Sequence, residues 1–259
     1  MNTFDTPVTP AMSTRRVINA YVQEAKTECL RYLRNPGFLL PTLLFPSVFY
    51  VMFGLVLNHA NGPDAARYLL ASYGTFGVMA PGLFGFGVSL ALERDTRLLT
   101  LKRAMPMPPG AYLIGKMSMA MLVAAVISII LLCIATLLGG VVLSPARILL
   151  FFALQVFGVL PFCALGLLVG TVVKGQGAPG VINLIYLPMA FLSGLWFPLS
   201  IMPSVIQSMA PLWPAHHLDQ LALSALGMGA GGAWLHATVL VGFTAVFLML
   251  ASRRLRRHG

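Results

Sequence analysis

Charged residues are scarce in this sequence. Only 9% of its 259 residues are charged, whereas 58% are apolar and the mean hydropathy is +0.85. Soluble domains carry roughly 25% charged residues, so this composition excludes an ordinary soluble fold and leaves no room for a sizeable soluble domain. We therefore predict an all-α integral membrane protein.

Ionisable side chains are also missing from the interior of the apolar runs. Six runs are long enough to cross a bilayer, and they cover about 38–57, 68–92, 117–143, 148–173, 178–196 and 233–251. Ion-driven carriers usually need charged groups within the membrane, and a membrane enzyme needs an acid, a base or a nucleophile. Their absence argues against both classes.

Cysteine is rare as well. Cys29 lies before the first run, and Cys133 and Cys163 lie within predicted spans, so we expect neither a disulfide nor a metal site. The polar first 35 residues contain no apolar core of the kind found in signal peptides.

The chain is strongly basic, with a formal net charge of +10. Lys and Arg cluster at the ends of the apolar runs, which is a signal for orientation in the membrane rather than for nucleic-acid binding. If both termini are cytoplasmic, fifteen of the seventeen Lys and Arg residues lie inside, and Arg67 and Arg147 lie outside. The pattern predicts six spans within 38–251 and a basic cytoplasmic tail at 252–259.

The segment before the first span divides into two parts. Residues 1–13 show no periodicity and are predicted to be disordered. Residues 14–37 are predicted to form an amphipathic helix that ends near Asn35 and Pro36, because apolar residues such as Ile18 and Val22 recur at helical spacing. A basic amphipathic helix before a span usually lies in the membrane interface, in contact with lipid.

A charged segment, residues 93–116, separates the second and third spans. It contains seven charged residues: Glu93, Arg94, Asp95, Arg97, Lys102, Arg103 and Lys116. Leucines at 98, 99 and 101 among basic residues indicate a short amphipathic helix, which a soluble partner could bind. The alternative is an ordinary solvated loop.

Two further patterns suggest chemistry only weakly. Residues 110–116 match most of a phosphate-binding loop, but Met117 stands where Ser or Thr would hold magnesium, so we interpret Lys116 as marking the start of the third span. His216, His217 and Asp219 lack a fourth ligand nearby and are predicted to be surface residues of the outer interface. The alternative is a lipid-modifying enzyme that uses these three side chains. They belong to 197–232, a proline-interrupted stretch predicted to form short re-entrant or interfacial helices on the outer side.

Two stretches of the sequence resemble the type-2 ABC exporter permeases. The first runs from Glu93-Arg94-Asp95 through Leu99 and Pro106 to Leu113-Ile114-Gly115-Lys116. The second follows the fifth span and contains Ser193, Gly194, Phe197, Pro198, Pro203 and Pro214. Together with six spans and the amphipathic N-terminal helix, the resemblance covers nearly the whole chain.

The resemblance implies a permease subunit of the bacterial inner membrane that forms the cargo pathway as a dimer, with itself or with a similar chain. Separate ABC ATPase subunits would bind ATP and Mg and drive transport, so no cofactor and no catalysis are expected on this chain. The charged segment would contain the coupling helix, and the ATPase-coupling residues would be Glu93, Arg94, Asp95, Arg97, Lys102 and Arg103. The 14–34 helix would act as a gate helix, and the cargo path would lie near spans one, two and five.

An ion-gradient-driven carrier or channel remains the alternative function. No nucleic-acid partner is expected, and neither the cargo nor the direction of transport follows from the residues themselves.

Overall fold

A computed structural model describes residues 13–57, 62–104, 107–108, 110–229 and 231–258. Within these ranges the chain forms helices and turns, with no strand. Most of residues 1–13, for which we predicted disorder, lies outside the described residues, as does Gly259 of the predicted tail.

The chain begins with two helices joined at a proline. Helix α1, Thr14–Leu33, lies within the segment 14–37 for which an amphipathic helix is predicted. Pro36 occupies the first turn of α2, Pro36–Phe49, where its missing N–H costs nothing. The helix then widens into a π-helical stretch, Tyr50–Val56, just after Pro46. Pro46 cannot donate the hydrogen bond of a regular turn, and such irregular turns commonly follow this loss.

A long continuous helical segment, residues 62–95, leads to the charged segment, and we call it the rod. It consists of α3, Gly62–Gly82, a π-helical stretch, Leu83–Val88, and α4, Ser89–Asp95. A short helix, α5, follows at Leu98–Ala104. The rod contains many glycines, which let neighbouring helices approach closely, and most of it is buried.

The next helices depart from the predicted boundaries. Helix α6, Ala111–Leu137, starts and ends six residues earlier than the predicted span 117–143. It ends early because Gly139 and Gly140 follow, and Gly140 adopts a positive φ of 62° that ends helices. The predicted span 148–173 consists of α7, Pro145–Gly158, and α8, Leu160–Val172, which join at Val159.

The C-terminal part alternates long and short helices. A 3₁₀ turn, Gly175–Gly177, leads into α9, Ala178–Leu192. The proline-interrupted stretch contains 3₁₀ turns at Leu199–Ile201 and Ala210–Leu212, α10 at Ser204–Met209 and α11 at Pro214–Ala225. Helix α12, Ala233–His258, ends the described chain.

Five helices in the described ranges are long and apolar enough to cross a membrane. They correspond to Pro36–Val56, Asp64–Asp95, Ala111–Leu137, Pro145–Val172 and Ala233–Arg254. The chain is thus a multi-pass membrane protein of all-helical fold.

The predicted surface position of the polar residues on α11 is wrong. His217 and Asp219 are only 5% and 2% exposed, because α11 packs among α3, α7 and α12 instead of lying at the periphery. His217 contacts the Pro211 carbonyl oxygen through Nε2 at 2.9 Å and His236 of α12 through Nδ1 at 2.8 Å. Sequence patterns could not show this, because two of the enclosing helices, α3 and α7, are distant along the chain.

Candidate functional site: a buried charge network at the charged segment

A tight turn orders the first half of the charged segment. Helix α4 ends at Asp95, and Arg97 has a positive φ of 58°, a conformation that reverses the chain after a helix. The Arg97 N–H donates to the Arg94 carbonyl oxygen at 3.1 Å, and the Arg97 carbonyl oxygen accepts from the Thr100 N–H at the start of α5. This turn sets α5 against the end of α4.

Lys116 of α6 lies at the centre of a buried ionic cluster. Its side chain is fully buried, and its ammonium group is 3.0 Å from Glu28 of α1, 3.0 Å from Glu93 of α4 and 2.8 Å from the Ser89 hydroxyl. The three protons of an ammonium group can each be donated to one of these acceptors. The cation is therefore compensated within the protein.

The cluster extends to α5 and to the rest of α1. The Lys102 ammonium group is 2.5 Å from Glu24 and 2.8 Å from Glu28. Glu93 also accepts hydrogen bonds from the Tyr112 hydroxyl, at 2.7 Å, and from the Arg31 guanidinium group. We call this set of side chains the charge network: Glu24, Glu28, Arg31, Glu93, Lys102, Tyr112 and Lys116.

The charges of the network balance. Its three carboxylates face three cations in the described structure. Burial alone would raise the pKa of Glu28, but the ammonium groups of Lys116 and Lys102 outweigh it, and the pKa lies below its ordinary value. Burial would likewise lower the pKa of Lys102, yet its bonds to Glu24 and Glu28 raise it. Both shifts favour the charged forms.

A glycine allows α1 to reach the network. A Cβ atom on Gly115 would lie 3.0 Å from Cγ of Glu24 and 3.2 Å from the Glu24 carbonyl carbon. Any larger residue would push α1 away from α6. Gly115 and Lys116 of the predicted Leu-x-Gly-Lys motif therefore act together: one permits the approach, and the other pairs with the acids that arrive.

Arg94 and Asp95 do not belong to the charge network. They bind the junction of α8 and α9. The Arg94 guanidinium group donates to the carbonyl oxygens of Thr171, at 2.5 Å, and Val173, at 2.9 Å, at the end of α8. Asp95 accepts from the Gly175 N–H at 2.6 Å, where the chain turns towards α9. A cation at a helix C-terminus and an anion at the start of the next helix both complement the helix dipoles.

The predicted coupling residues thus divide into groups. Glu93 and Lys102 belong to the charge network, Arg94 and Asp95 bind the α8–α9 junction, and Arg97 is exposed. The side chain of Arg103 lies outside the described residues. Their coupling role stays a prediction.

Sequence reasoning missed the members of the network that lie outside the charged segment. These are Glu24, Glu28 and Arg31 of α1, which the sequence places on an amphipathic helix without indicating a partner. Lys116 lies within the charged segment, but its sequence context predicts only the start of the third span. One signal was available: Glu24 and Glu28 are four residues apart on a basic helix, in a chain with only seven acidic residues. Like charges at this spacing repel each other, and a cation brought from another part of the chain offsets that repulsion.

The predicted outer-loop motif forms the end of α9 and the starts of the short helices. Gly194 has a positive φ of 83°, and the Leu195 N–H bonds back to the Ala190 carbonyl oxygen, the pattern of a glycine C-cap. Leu195 and Ser193 are buried, whereas Phe197 is half exposed. Pro198 and Pro203 directly precede short helices, and Pro214 starts α11.

A groove of about 410 Å³ lies among α2, α3 and α9. Its lining is mostly apolar and aromatic: Phe38, Thr42, Phe45, Phe84, Asn183 and Tyr186 contribute to it. Phe38 and Phe84 also line a smaller cavity that reaches Glu28 and Arg31. The groove therefore adjoins the charge network at one end.

Comparison with known proteins identifies the family. The sequence profile of the ABC-2 type transporters matches residues 21–227. The chain belongs to the ABC-2 type transporter family. It is also 30% identical over 244 residues to YvfS of Bacillus subtilis (strain 168), a candidate transport permease by its name, and the match covers 93% of this chain and 98% of YvfS.

The ABC-2 match includes α1 from Tyr21 onward, the charged segment and the outer-loop motif. It confirms the resemblance stated from the two sequence motifs. The chain is a membrane transport permease, and its family is one of transport subunits rather than enzymes.

Proposed function

We propose that this ABC-2 permease is the membrane subunit of an ATP-driven exporter in the bacterial inner membrane. Two copies, or one copy and a similar chain, would enclose the cargo path. Separate ABC ATPase subunits would bind ATP and Mg and dock on α5, so this chain would carry no cofactor. One observation carries the proposal. Lys102 fixes one face of α5 to the charge network, and the opposite face of α5 stays exposed.

The exposed face of α5 suits a protein partner. Leu101 is 64% exposed, and Arg97 and Thr100 beside it are also exposed, whereas Leu99 is buried. An apolar side chain surrounded by polar ones is a typical anchor for a partner's pocket. This face is available because Lys102 on the same helix is directed inward to Glu24 and Glu28.

The internal contacts of α5 and α4 supply a route for movement. Through Lys102, α5 is joined to α1, and through Glu93, α4 is joined to α6. Arg94 joins α4 to the end of α8, and Asp95 joins α4 to the turn that leads into α9, which borders the groove. A displacement of α5 by an ATPase would therefore act on helices on both sides of the groove. This supports the groove as part of the cargo path.

We further propose that α9 makes a sixth crossing and that both termini are cytoplasmic. At 1.5 Å per residue its fifteen residues reach about 22 Å, and the turns at 175–177 and 193–197 extend that length. Six crossings place both chain ends on one side, and the distribution of Lys and Arg favours the cytoplasm.

A second subunit would cover apolar surface beside the groove. Leu44 of α2 and Leu184 of α9 are exposed, as are Leu40 and Val48. Lipid or a second copy could cover such residues equally well in a membrane. The position of the groove between α2 and α9 favours a second copy, because a dimer across these helices would close the groove into a path.

The substitution Leu101→Glu tests ATPase docking. We expect the variant to retain its thermal stability, because the side chain is already exposed, and to lose co-purification with the ATPase subunit and stimulation of its activity. The matched control is Ser208→Glu on α10, an exposed position far from α5, which should keep both.

Unchanged ATPase binding by Leu101→Glu would contradict the docking proposal. Transport by the purified permease in proteoliposomes driven by an ion gradient alone would contradict the exporter proposal and favour the ion-driven carrier.

A further inference from the structure

Helix α1 presents an outward face that contains cations and no acids. Its only two acidic residues, Glu24 and Glu28, are buried and paired with Lys102 and Lys116. Arg15, Arg16, Lys26 and Arg34 are all exposed and form no ion pair with any described residue. Because the acids are used internally, the exposed charge of the helix is entirely positive.

Apolar side chains lie among these cations. Ile18 and Val22 are 59% and 55% exposed, and Leu33 also reaches the surface. Positions 15, 18, 22, 26 and 33 are separated by steps of three, four and seven, so they share one side of the helix. We call this side the outward face of α1.

The connection to α2 places the C-terminal end of α1 at a membrane surface. The helix ends at Leu33, and α2, the first candidate span, begins at Pro36. The C-terminal end of α1 must therefore lie where α2 enters the bilayer. The aliphatic stems of Arg and Lys can then follow the apolar residues towards the hydrocarbon while their charges stay at the headgroups.

We propose that the outward face of α1 binds the headgroups of anionic phospholipids. The apolar residues account for membrane contact in general, and the uncompensated cations account for the preference for negative lipids. A soluble acidic protein would satisfy the cations but not the exposed Ile18 and Val22 beside a membrane span, which is why lipid is the favoured partner. The inference does not depend on the identity of the ATPase.

Lipid binding to the outward face would also affect α5, because α1 contacts both. Glu24 and Glu28 connect α1 to Lys102 on α5, so one side of the helix faces lipid and the other contacts α5. Anionic lipid on the outward face would therefore restrain the same helix that the charge network joins to α5.

Lipid binding is measured on the full-length permease by native mass spectrometry. The detergent-solubilised protein is exposed to equal amounts of phosphatidylglycerol and phosphatidylcholine, and the ratio of the two bound lipids is recorded. The test variant is Arg15→Gln/Lys26→Gln, which removes the two cations of the outward face. The control, Lys174→Gln/Arg253→Gln, removes the same charge from exposed positions elsewhere.

We expect the test variant to lose at least about fivefold in its preference for phosphatidylglycerol, and added salt to weaken the wild-type preference. The control should lose less of this preference than the test variant, because its cations do not lie among the exposed Ile18 and Val22. Thermal unfolding in phosphatidylcholine alone should be unchanged in both, since all the altered side chains are exposed.

Two results would overturn the proposal. The first is an unaltered lipid ratio in the test variant, and a simultaneous loss of ATPase co-purification would then assign the face to a protein partner. The second is an equal loss in the control, which would show that only net charge matters.

Discussion

Two buried ionisable residues, Lys116 and Asp219, differ in the polar partners that surround them. Lys116 has three acceptors within 3.0 Å, two of them carboxylates. Asp219 is also buried, but one of its carboxylate oxygens has no hydrogen-bond partner among the described residues. A buried ion with partners stays charged, whereas a buried acid without a cation tends to hold its proton. Burial accordingly raises the pKa of Asp219 to about 7.

The two kinds of site give opposite dependences on pH. The lowered pKa of Glu28 means that the network stabilises the fold above the ordinary pKa of a glutamate and that this contribution is lost as the pH falls through the lowered value. For Asp219 the folded protein binds more protons than the unfolded chain between pH 3.8 and about 7. Stability therefore falls as the pH rises through that window.

The substitution Asp219→Asn should remove the loss of folding stability that accompanies ionisation of Asp219. We expect the variant to unfold at a higher temperature than the wild type at pH 8 and at nearly the same temperature at pH 4, because asparagine resembles the protonated acid. Thermal unfolding of the detergent-solubilised permease across this pH range measures the difference. The control Asp64→Asn, at a site with an 80% exposed side chain, should not change the pH profile. A variant less stable than the wild type at pH 8 would mean that Asp219 is ionised and paired.

At the scale of elements, glycines determine how the central rod packs. A Cβ atom on Gly166 of α8 would lie 2.6 Å from the Gly82 carbonyl oxygen, and one on Gly170 would lie 2.7 Å from that of Gly87. Gly166 and Gly170 are four residues apart, the spacing of a small-xxx-small contact between membrane helices. Because the neighbouring atoms are backbone, neither contact can be relieved by rotating a side chain.

The substitution Gly166→Ala should therefore destabilise the protein by about 1–3 kcal/mol, as overpacking usually does. Gly180 on α9 offers a matched control, since a Cβ atom there meets nothing within 4 Å. We expect Gly180→Ala to be neutral or slightly stabilising, because alanine is the better helix former. Equilibrium unfolding in detergent compares the two. Equal stability of both variants would show that α8 can move away from the rod at little cost.

At the scale of the whole molecule, the number of crossings depends on α9. If α9 crosses, α5 and α10 lie on opposite sides of the membrane, whereas if it does not, they lie on the same side. Its length alone does not decide this, because Pro188 interrupts its hydrogen bonding and short helices follow directly.

Labelling of single cysteines can decide the topology. In a variant with Cys29, Cys133 and Cys163 replaced by serine, we expect Ser208→Cys on α10 to react with a membrane-impermeant maleimide added to intact cells. Thr100→Cys on α5 should react only after the membrane is permeabilised. Both positions are exposed, so the difference reports on sidedness. Labelling of both from the same side would exclude a sixth crossing.

The sequence by itself determined the features that depend on neighbours along the chain. Long uncharged runs predicted the membrane class, and the helix from Thr14, the amphipathic α5 and the proline-started short helices followed from local patterns. Two motifs were enough to indicate the family. These features need no knowledge of distant contacts, since hydropathy, helical periodicity and capping act over one or a few turns.

Only the tertiary structure decided how the charges are used. Lys102 meets Glu24 across 78 residues of sequence, and Lys116 meets Glu28 across 88. The burial of Asp219 depends likewise on helices from three other parts of the chain. An isolated charge is compatible with either solvent or a buried pair, and burial is tolerated only if the fold brings the opposite charge to it.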